Sequence, residues 1–178
     1  MYRKETTEGM PRVSVLMPTF NQASFLRRAL ESLLDQTMKE WELVIVDDGS
    51  SDNTREMVEP YLVDPRISYD RLDSNKGLGA ALNYALSKAK ATLIAYLPSD
   101  DIYYADHLTS LAEALDSHER AVLAFSGVWH EYRVPGKGVL DTKTSLGQME
   151  GLPLQLVQVM HRLTEDRWIC LLYTSDAA

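Results

Sequence analysis

Trp41-Glu42-Leu43-Val44-Ile45-Val46 runs straight into Asp47-Asp48-Gly49-Ser50-Ser51, an apolar, β-branched segment followed by a polar turn. Six such residues form a strand too apolar to have one face in water, so both faces must be covered. Helical spacing then resumes over residues 53–61 until Pro60 and Pro65 disrupt it. A buried strand, a polar turn and a helix make one half of a strand–helix–strand unit.

The same unit repeats outward from this stretch. Upstream, Val13-Ser14-Val15-Leu16-Met17 is a short buried strand closed by Pro18. Phe25, Leu26, Ala29, Leu30, Leu33 and Leu34 then recur at three- and four-residue spacing, with Asn21 or Ser24 near the helix cap. Downstream, residues 66–72 alternate weakly, Asn75-Lys76-Gly77-Leu78-Gly79 forms a loop, and residues 80–89 are rich in alanine and leucine. Thr92-Leu93-Ile94-Ala95-Tyr96-Leu97 is the clearest buried strand; it stops at Pro98-Ser99-Asp100-Asp101 and precedes helical spacing over residues 107–115. Residues 121–128 offer a fifth strand. Beyond Arg133 the pattern weakens: residues 135–138 read as a turn, and residues 152–163 as either a helix or a strand. The expected class is α/β, a mostly parallel sheet with helices on both faces. Ligands in such sheets sit beyond the carboxyl ends of the strands, so residues 18–21, 47–51 and 99–101 should converge on one crevice.

A length of 178 residues suits one domain with a sizeable core. The net charge of -8, without a Lys/Arg strip, excludes nucleic acid as the expected partner. It would also repel a polyanionic ligand unless a cation intervenes, which points towards a divalent metal. Cys170 is the only cysteine, which rules out an internal disulfide and fits a reducing, cytoplasmic setting. The first ten residues lack a secretory apolar core, and no 18-residue apolar run follows, so a soluble chain without a membrane span is expected.

Each polar cluster reads in two ways. Asp47 and Asp48 can cap the next helix, or a carboxylate there can accept the imide N–H of uracil or thymine. Asp100 and Asp101 can start the next helix, or hold Mg²⁺ or Mn²⁺ while donor phosphates complete the coordination. The loop at residues 75–79 is a plain turn or a row of N–H groups for phosphate, its spacing matching neither the dinucleotide fingerprint nor a P-loop. His130, His161 and Glu165-Asp166 are packed or solvent-facing residues unless a ligand reaches them.

Taken together, Val13-Ser14-Val15-Leu16-Met17-Pro18-Thr19-Phe20-Asn21, Val46-Asp47-Asp48-Gly49-Ser50-Ser51-Asp52 and Leu97-Pro98-Ser99-Asp100-Asp101 resemble the family 2 glycosyltransferases. Gln36-Thr37, Asn75-Lys76-Gly77 and Asn83 fall between them like the family's spaced landmarks, and the resemblance runs from about Pro11 to Val128. It implies a GT-A fold in one domain over residues 1–178, with residues 11–130 as the nucleotide-binding half and 131–178 as part of the acceptor half. It implies that the Pro18-Thr19 loop and Asp48 hold the donor base, that Asp47 shapes that pocket with Asn21 as a further nucleotide-binding residue, and that Ser99, Asp100 and Asp101 bind the ribose and the metal. Asp100 is then the best metal ligand, with Asp101 sharing the task because Pro98 replaces the first carboxylate of the commoner Asp-x-Asp form. The cofactor would be Mg²⁺ or Mn²⁺, the donor a UDP- or dTDP-sugar, and the acceptor a hydroxyl on a glycan or cell-surface polysaccharide.

The resemblance implies inversion with a carboxylate base from the second half, for which Asp166 is the candidate, and a diphosphate contact for His161. Residues 170–178 read as foreign to the domain, so the chain is expected to be C-terminally truncated. The alternative is then a nucleotide-binding fragment without transferase activity. A phosphate-accepting signalling domain is set aside, because its first strand ends in an acidic pair and here it ends in Pro18-Thr19-Phe20-Asn21.

Overall fold

The structure is a computed structural model that describes residues 9–134, 138–145 and 155–164. Strands β1 (Val13–Thr19) and β2 (Trp41–Asp47) are buried at all seven of their residues, which is why neither alternates in sequence. They pair in parallel from Val13↔Trp41 to Thr19↔Asp47. Strand β3 (Ile67–Arg71) lies parallel beyond β2, and β4 (Leu93–Tyr96) parallel on the other side of β1.

The chain also forms β5 (Leu123–Phe125), a β6 (Val128–Val134) to β7 (Gly138–Ser145) hairpin, and β8 (Val159–Arg162). The main sheet has the order β3-β2-β1-β4-β8-β5, with β8 antiparallel to both neighbours. The apolar run at residues 152–163, open between helix and strand in the sequence, becomes a 3-10 turn (Leu156–Gln158) followed by β8 where it is described.

Helices cover both faces, as the patterning requires. On one face α1 (Ala23–Leu34) and α4 (His107–Ser117) pack Leu26, Leu30, Leu33, Leu108, Leu111 and Leu115 against Val13, Val15, Leu43 and Ile45. On the other, α3 (Leu78–Lys88) sets Ala81, Leu82 and Ala85 on Leu16, Val44, Val46, Ile94 and Tyr96. The alternation of Val15 and Leu16 between the two clusters is the period-two geometry of a strand. The short α2 (Thr54–Val58) ends in a 3-10 turn over Glu59–Tyr61, where Pro60 cannot donate to a continuing α-helix.

Three local expectations change. The first strand continues through Pro18 to Thr19, because residue 18 faces the β4 side, where Leu97 N–H to the Leu16 carbonyl is the last bond. The N–H that proline lacks therefore has no partner to lose. Helix α1 is capped neither by Asn21 nor by Ser24: the Asp52 carboxylate accepts the Ala23 N–H at 3.0 Å from the neighbouring turn. Phe25, expected in the buried stripe, is 45% exposed.

His107 begins α4 stacked on Tyr103, ring centroids 4.1 Å apart, with Nε2 buried and unpartnered among the described residues. Burial holds its pKa down at about 4, with Asp106 opposing. The unfolded chain binds a proton near pH 6.5 and the folded chain only near pH 4, so stability present above pH 6.5 is lost as pH falls towards 4. His107→Phe keeps the stacking and removes the titration. At pH 5 the variant should exceed the unsubstituted chain in unfolding free energy by about 1–2 kcal/mol, with no such gain at pH 7.5. Urea melts at the two pH values measure this, and a gain independent of pH would remove the assignment.

Candidate functional site

The carboxyl ends of β1, β2 and β4 open onto a cleft of about 320 Å³. Pro18, Thr19, Phe20 and Gln22 line it from the β1 end, Asp48 from the β2 end, and Pro98 and Asp100 from the β4 end. Asn75, Gly77, Leu78 and Ala81 close it from the start of α3, and Leu156 from the turn before β8. Four of the residues predicted from the sequence, Pro18, Thr19, Asp48 and Asp100, thus share one cleft.

Asp48 is 4% exposed, yet its charge is well supported. Its Oδ1 accepts the Lys76 N–H at 2.7 Å and its Oδ2 the Gly77 N–H at 2.8 Å. Each carboxylate oxygen has two lone pairs, so capacity remains on the cleft side. The 75–79 loop therefore turns two amides onto Asp48. The Thr19 hydroxyl, also lining the cleft, is buried and has no hydrogen-bond partner among the described residues. A buried hydroxyl without a partner costs free energy, and at a ligand site the ligand supplies the partner.

Asp47 faces away from the cleft lining. Its Oδ1 accepts the Ser50 N–H at 2.8 Å, closing the turn, while Oδ2 accepts the Tyr69 hydroxyl at 2.7 Å. Asp47 and desolvation push the Tyr69 phenol well above its ordinary range, desolvation first. Asn21, at φ 52°, joins the first two strand ends: its N–H donates to Ser50 Oγ and its Oδ1 accepts the Ser51 N–H. These two residues shape the turn beneath the cleft.

At the β4 end, residues 98–101 form a tight turn closed by Asp101 N–H to the Pro98 carbonyl at 3.0 Å. The Ser99 hydroxyl is buried and donates to Gln22 Oε1, tying this turn to the β1 loop. Asp100 is exposed into the cleft, whereas Asp101 is half-buried behind it. Neither carboxylate has a hydrogen-bond or ion-pair partner among the described residues. Burial, then the charge on Asp100, pushes Asp101 up to about 6. Two hard oxygen donors with uncompensated charge beside an open cleft suit a divalent cation. No cluster of three or more His, Cys, Asp or Glu side chains that could hold a metal ion occurs among the described residues, so this pair by itself would leave most of a cation's coordination positions open.

His161 sits on β8 opposite Ile94. Its Nε2 shares a hydrogen bond with the Tyr96 hydroxyl at 2.6 Å and its Nδ1 with the Arg162 carbonyl at 2.7 Å, so both ring nitrogens are engaged away from the cleft lining. Asp166 lies outside the described residues. Two lining residues, Gln22 and Leu156, fall outside the motifs that the sequence offers. Gln22 follows the Pro18-Thr19-Phe20-Asn21 loop closely enough to be a candidate, but Leu156 reaches the cleft only through the return of β8.

A mostly parallel sheet with helices on both faces, an acidic turn past β4 and a carboxylate-floored cleft past β2 define the GT-A class of nucleotide-sugar transferase folds. The chain belongs to glycosyl transferase family 2, whose profile matches residues 14–161. TuaG of Bacillus subtilis (strain 168), assigned as a teichuronic acid biosynthesis glycosyltransferase, is 38% identical over 108 residues, covering 60% of this chain and 43% of TuaG. EpsE of the same strain, assigned as a glycosyltransferase, is 32% identical over 162 residues, 88% of this chain and 58% of EpsE. The chain thus spans about half the length of these relatives. Among solved structures, S. aureus TarS 1-349 in complex with UDP-GlcNAc superposes with a TM-score of 0.61 at 30% identity, covering 73% of this chain and 37% of TarS. Among the described residues no helix is long and apolar enough to cross a membrane.

Proposed function

We propose that residues 11–130 form the donor half of an inverting glycosyltransferase that takes a UDP- or dTDP-sugar, with an acceptor hydroxyl on a glycan or polysaccharide. The observation that carries this reading is the pairing of Asp48, buried and braced by two amides, with the unpartnered Thr19 hydroxyl in one cleft. An acceptor beside a free hydroxyl matches the N–H and carbonyl edge of a uracil or thymine ring. The TarS likeness, solved with UDP-GlcNAc, agrees with a uridine donor. Asp100 and Asp101, at the β4 end, would hold Mg²⁺ or Mn²⁺. When bound, the cation neutralises charge on the leaving diphosphate. Asp166 remains the candidate base for the acceptor hydroxyl.

Calorimetric titration with UDP and dTDP, with and without Mn²⁺, tests the donor site directly. UDP should bind more tightly with Mn²⁺, and Asp100→Asn should remove about tenfold of that enhancement while leaving metal-free affinity in place. An enhancement unchanged in Asp100→Asn would sink the metal assignment. For these 178 residues alone, donor binding without transfer is the second reading, favoured by the 43% and 58% shares of the relatives that the chain spans. Release of UDP from a UDP-sugar by this chain would overturn it.

A further inference from the structure

Gln36 lies at the far end of α1 from the cleft, yet it is fully buried and bonded with unusual completeness. Its Nε2 donates to the Ser32 carbonyl at 3.1 Å and to the Tyr104 carbonyl at 2.7 Å, and its Oε1 accepts the Leu108 N–H at 3.0 Å. Both amide donors and one acceptor are thus satisfied inside the core, and two of the three partners belong to the segment that follows the acidic turn. The Leu108 N–H is one of the free donors at the start of α4, whose own N-cap residue Asp106 makes no side-chain cap. Gln36 caps α4 from the turn that follows α1.

Its neighbours hold the same segment. Thr37 N–H donates to the Ala105 carbonyl at 2.8 Å, and the Thr37 and Thr109 hydroxyls share a bond of 2.8 Å. Ser32 Oγ accepts the Tyr103 N–H at 3.1 Å, and the Tyr103 hydroxyl donates to the Tyr96 carbonyl at 2.6 Å. The chain that leaves β4 is therefore fixed at Leu97 by Leu16 and again from Tyr103 onwards by the end of α1. Between these anchors stands the short arc that carries Asp100 and Asp101.

We infer that Gln36 is a positioning residue for the acidic turn: it fixes the return of residues 103–108 and so holds Asp100 and Asp101 where a cation and a diphosphate meet them. It reaches neither donor nor metal itself. The inference rests on the proposed donor site and names what sets the geometry of its metal end. The base end, built from Thr19, Asp48 and the amides of Lys76 and Gly77, shares none of these bonds. Loss of Gln36 should then separate two affinities that a general loss of structure would lower together.

The test compares uridine and UDP, each with and without Mn²⁺, on the unsubstituted chain and on Gln36→Met, which keeps the length and loses all three bonds. Thermal unfolding is followed in parallel. In Gln36→Met the Mn²⁺ enhancement of UDP affinity should fall about tenfold, as buried hydrogen bonds to a site's support are lost, while uridine affinity stays within about twofold. An unchanged enhancement in a folded Gln36→Met chain overturns the inference, and so does an equal fall for uridine and UDP. If Gln36→Met does not fold, Tyr103→Phe, lacking only the bond to the Tyr96 carbonyl, carries the test. It should lower the enhancement about threefold with uridine unchanged, and no selective loss there overturns the inference. An unsubstituted chain that binds neither ligand would remove the donor-site reading, and this inference with it; one that binds UDP normally while the variants show no selective loss would remove this inference alone.

Discussion

Asp48→Ala should lower UDP affinity at least a hundredfold and unfold the chain several degrees earlier, the largest combined effect expected of any single substitution in the cleft. The two losses have different origins. The carboxylate accepts the Lys76 and Gly77 N–H groups in a site that water does not reach freely. Alanine leaves the Lys76 N–H without that acceptor and the Gly77 N–H with Asn75 Oδ1 alone, at 3.0 Å, and hydrogen bonds to a charged group contribute roughly 1.5–3 kcal/mol each. Some recovery through solvent access on the loop brings the expected cost to about 2–3 kcal/mol, or roughly 5–10 °C in Tm for a domain of this size. The proposed base contact is lost in addition. A stable Asp48→Ala chain with unchanged UDP affinity would remove both the bracing role and the base pocket.

Gly49→Ala should cost as much without touching any charged group. Gly49 has φ +79°, a conformation that an L side chain rarely adopts. A Cβ built there would stand 2.7 Å from the Ser74 carbonyl carbon and 2.9 Å from the Asn75 nitrogen. Both obstacles are backbone, so no rotamer change relieves them. The stretch that must retreat is the one whose next two amides hold Asp48. The backbone conformation costs about 1–2 kcal/mol, and with the steric displacement the total should reach about 3 kcal/mol or more. Guanidinium melts should show the midpoint shift, and UDP titration a parallel fall in affinity. A variant as stable as the unsubstituted chain would mean that the turn does not pack against residues 74–75 as described.

The parts of the fold legible in the sequence are those set by local burial. β1, β2 and β4 are apolar on both faces because helices cover both, so continuous apolar runs announced them. The convergence of Pro18, Thr19, Asp48 and Asp100 followed from parallel strands that end on one side. What could not be read was set by partners far along the chain. The runs at residues 121–128 and 152–163 do not say that β8 inserts between β4 and β5. Nor does the sequence say that Asp52 caps α1, or that Gln22 meets Ser99, since each contact joins two loops rather than two positions on one element. Adjacent Asp47 and Asp48 look equivalent in sequence. They diverge because successive residues leaving a strand point to opposite sides, one towards Tyr69 and Ser50 and the other towards the start of α3.

The place of β8 also orders assembly in time. Within the main sheet β5 pairs with β8 and not with β4, although it is made nearly forty residues before β8 leaves the ribosome. While the chain emerges, β1 to β4 can already close on α1 and α3, but the outer edge of β4 stays open and β5 has no strand to join. Among the described strands β8 comes latest in the chain, and it is therefore the one that seals β4 to β5. The Arg162 guanidinium, bonded to the Leu115 and Ala121 carbonyls, then locks that seal to the end of α4. Amide protons of β5 and β8 should accordingly exchange together, and sooner than those of β1 and β2.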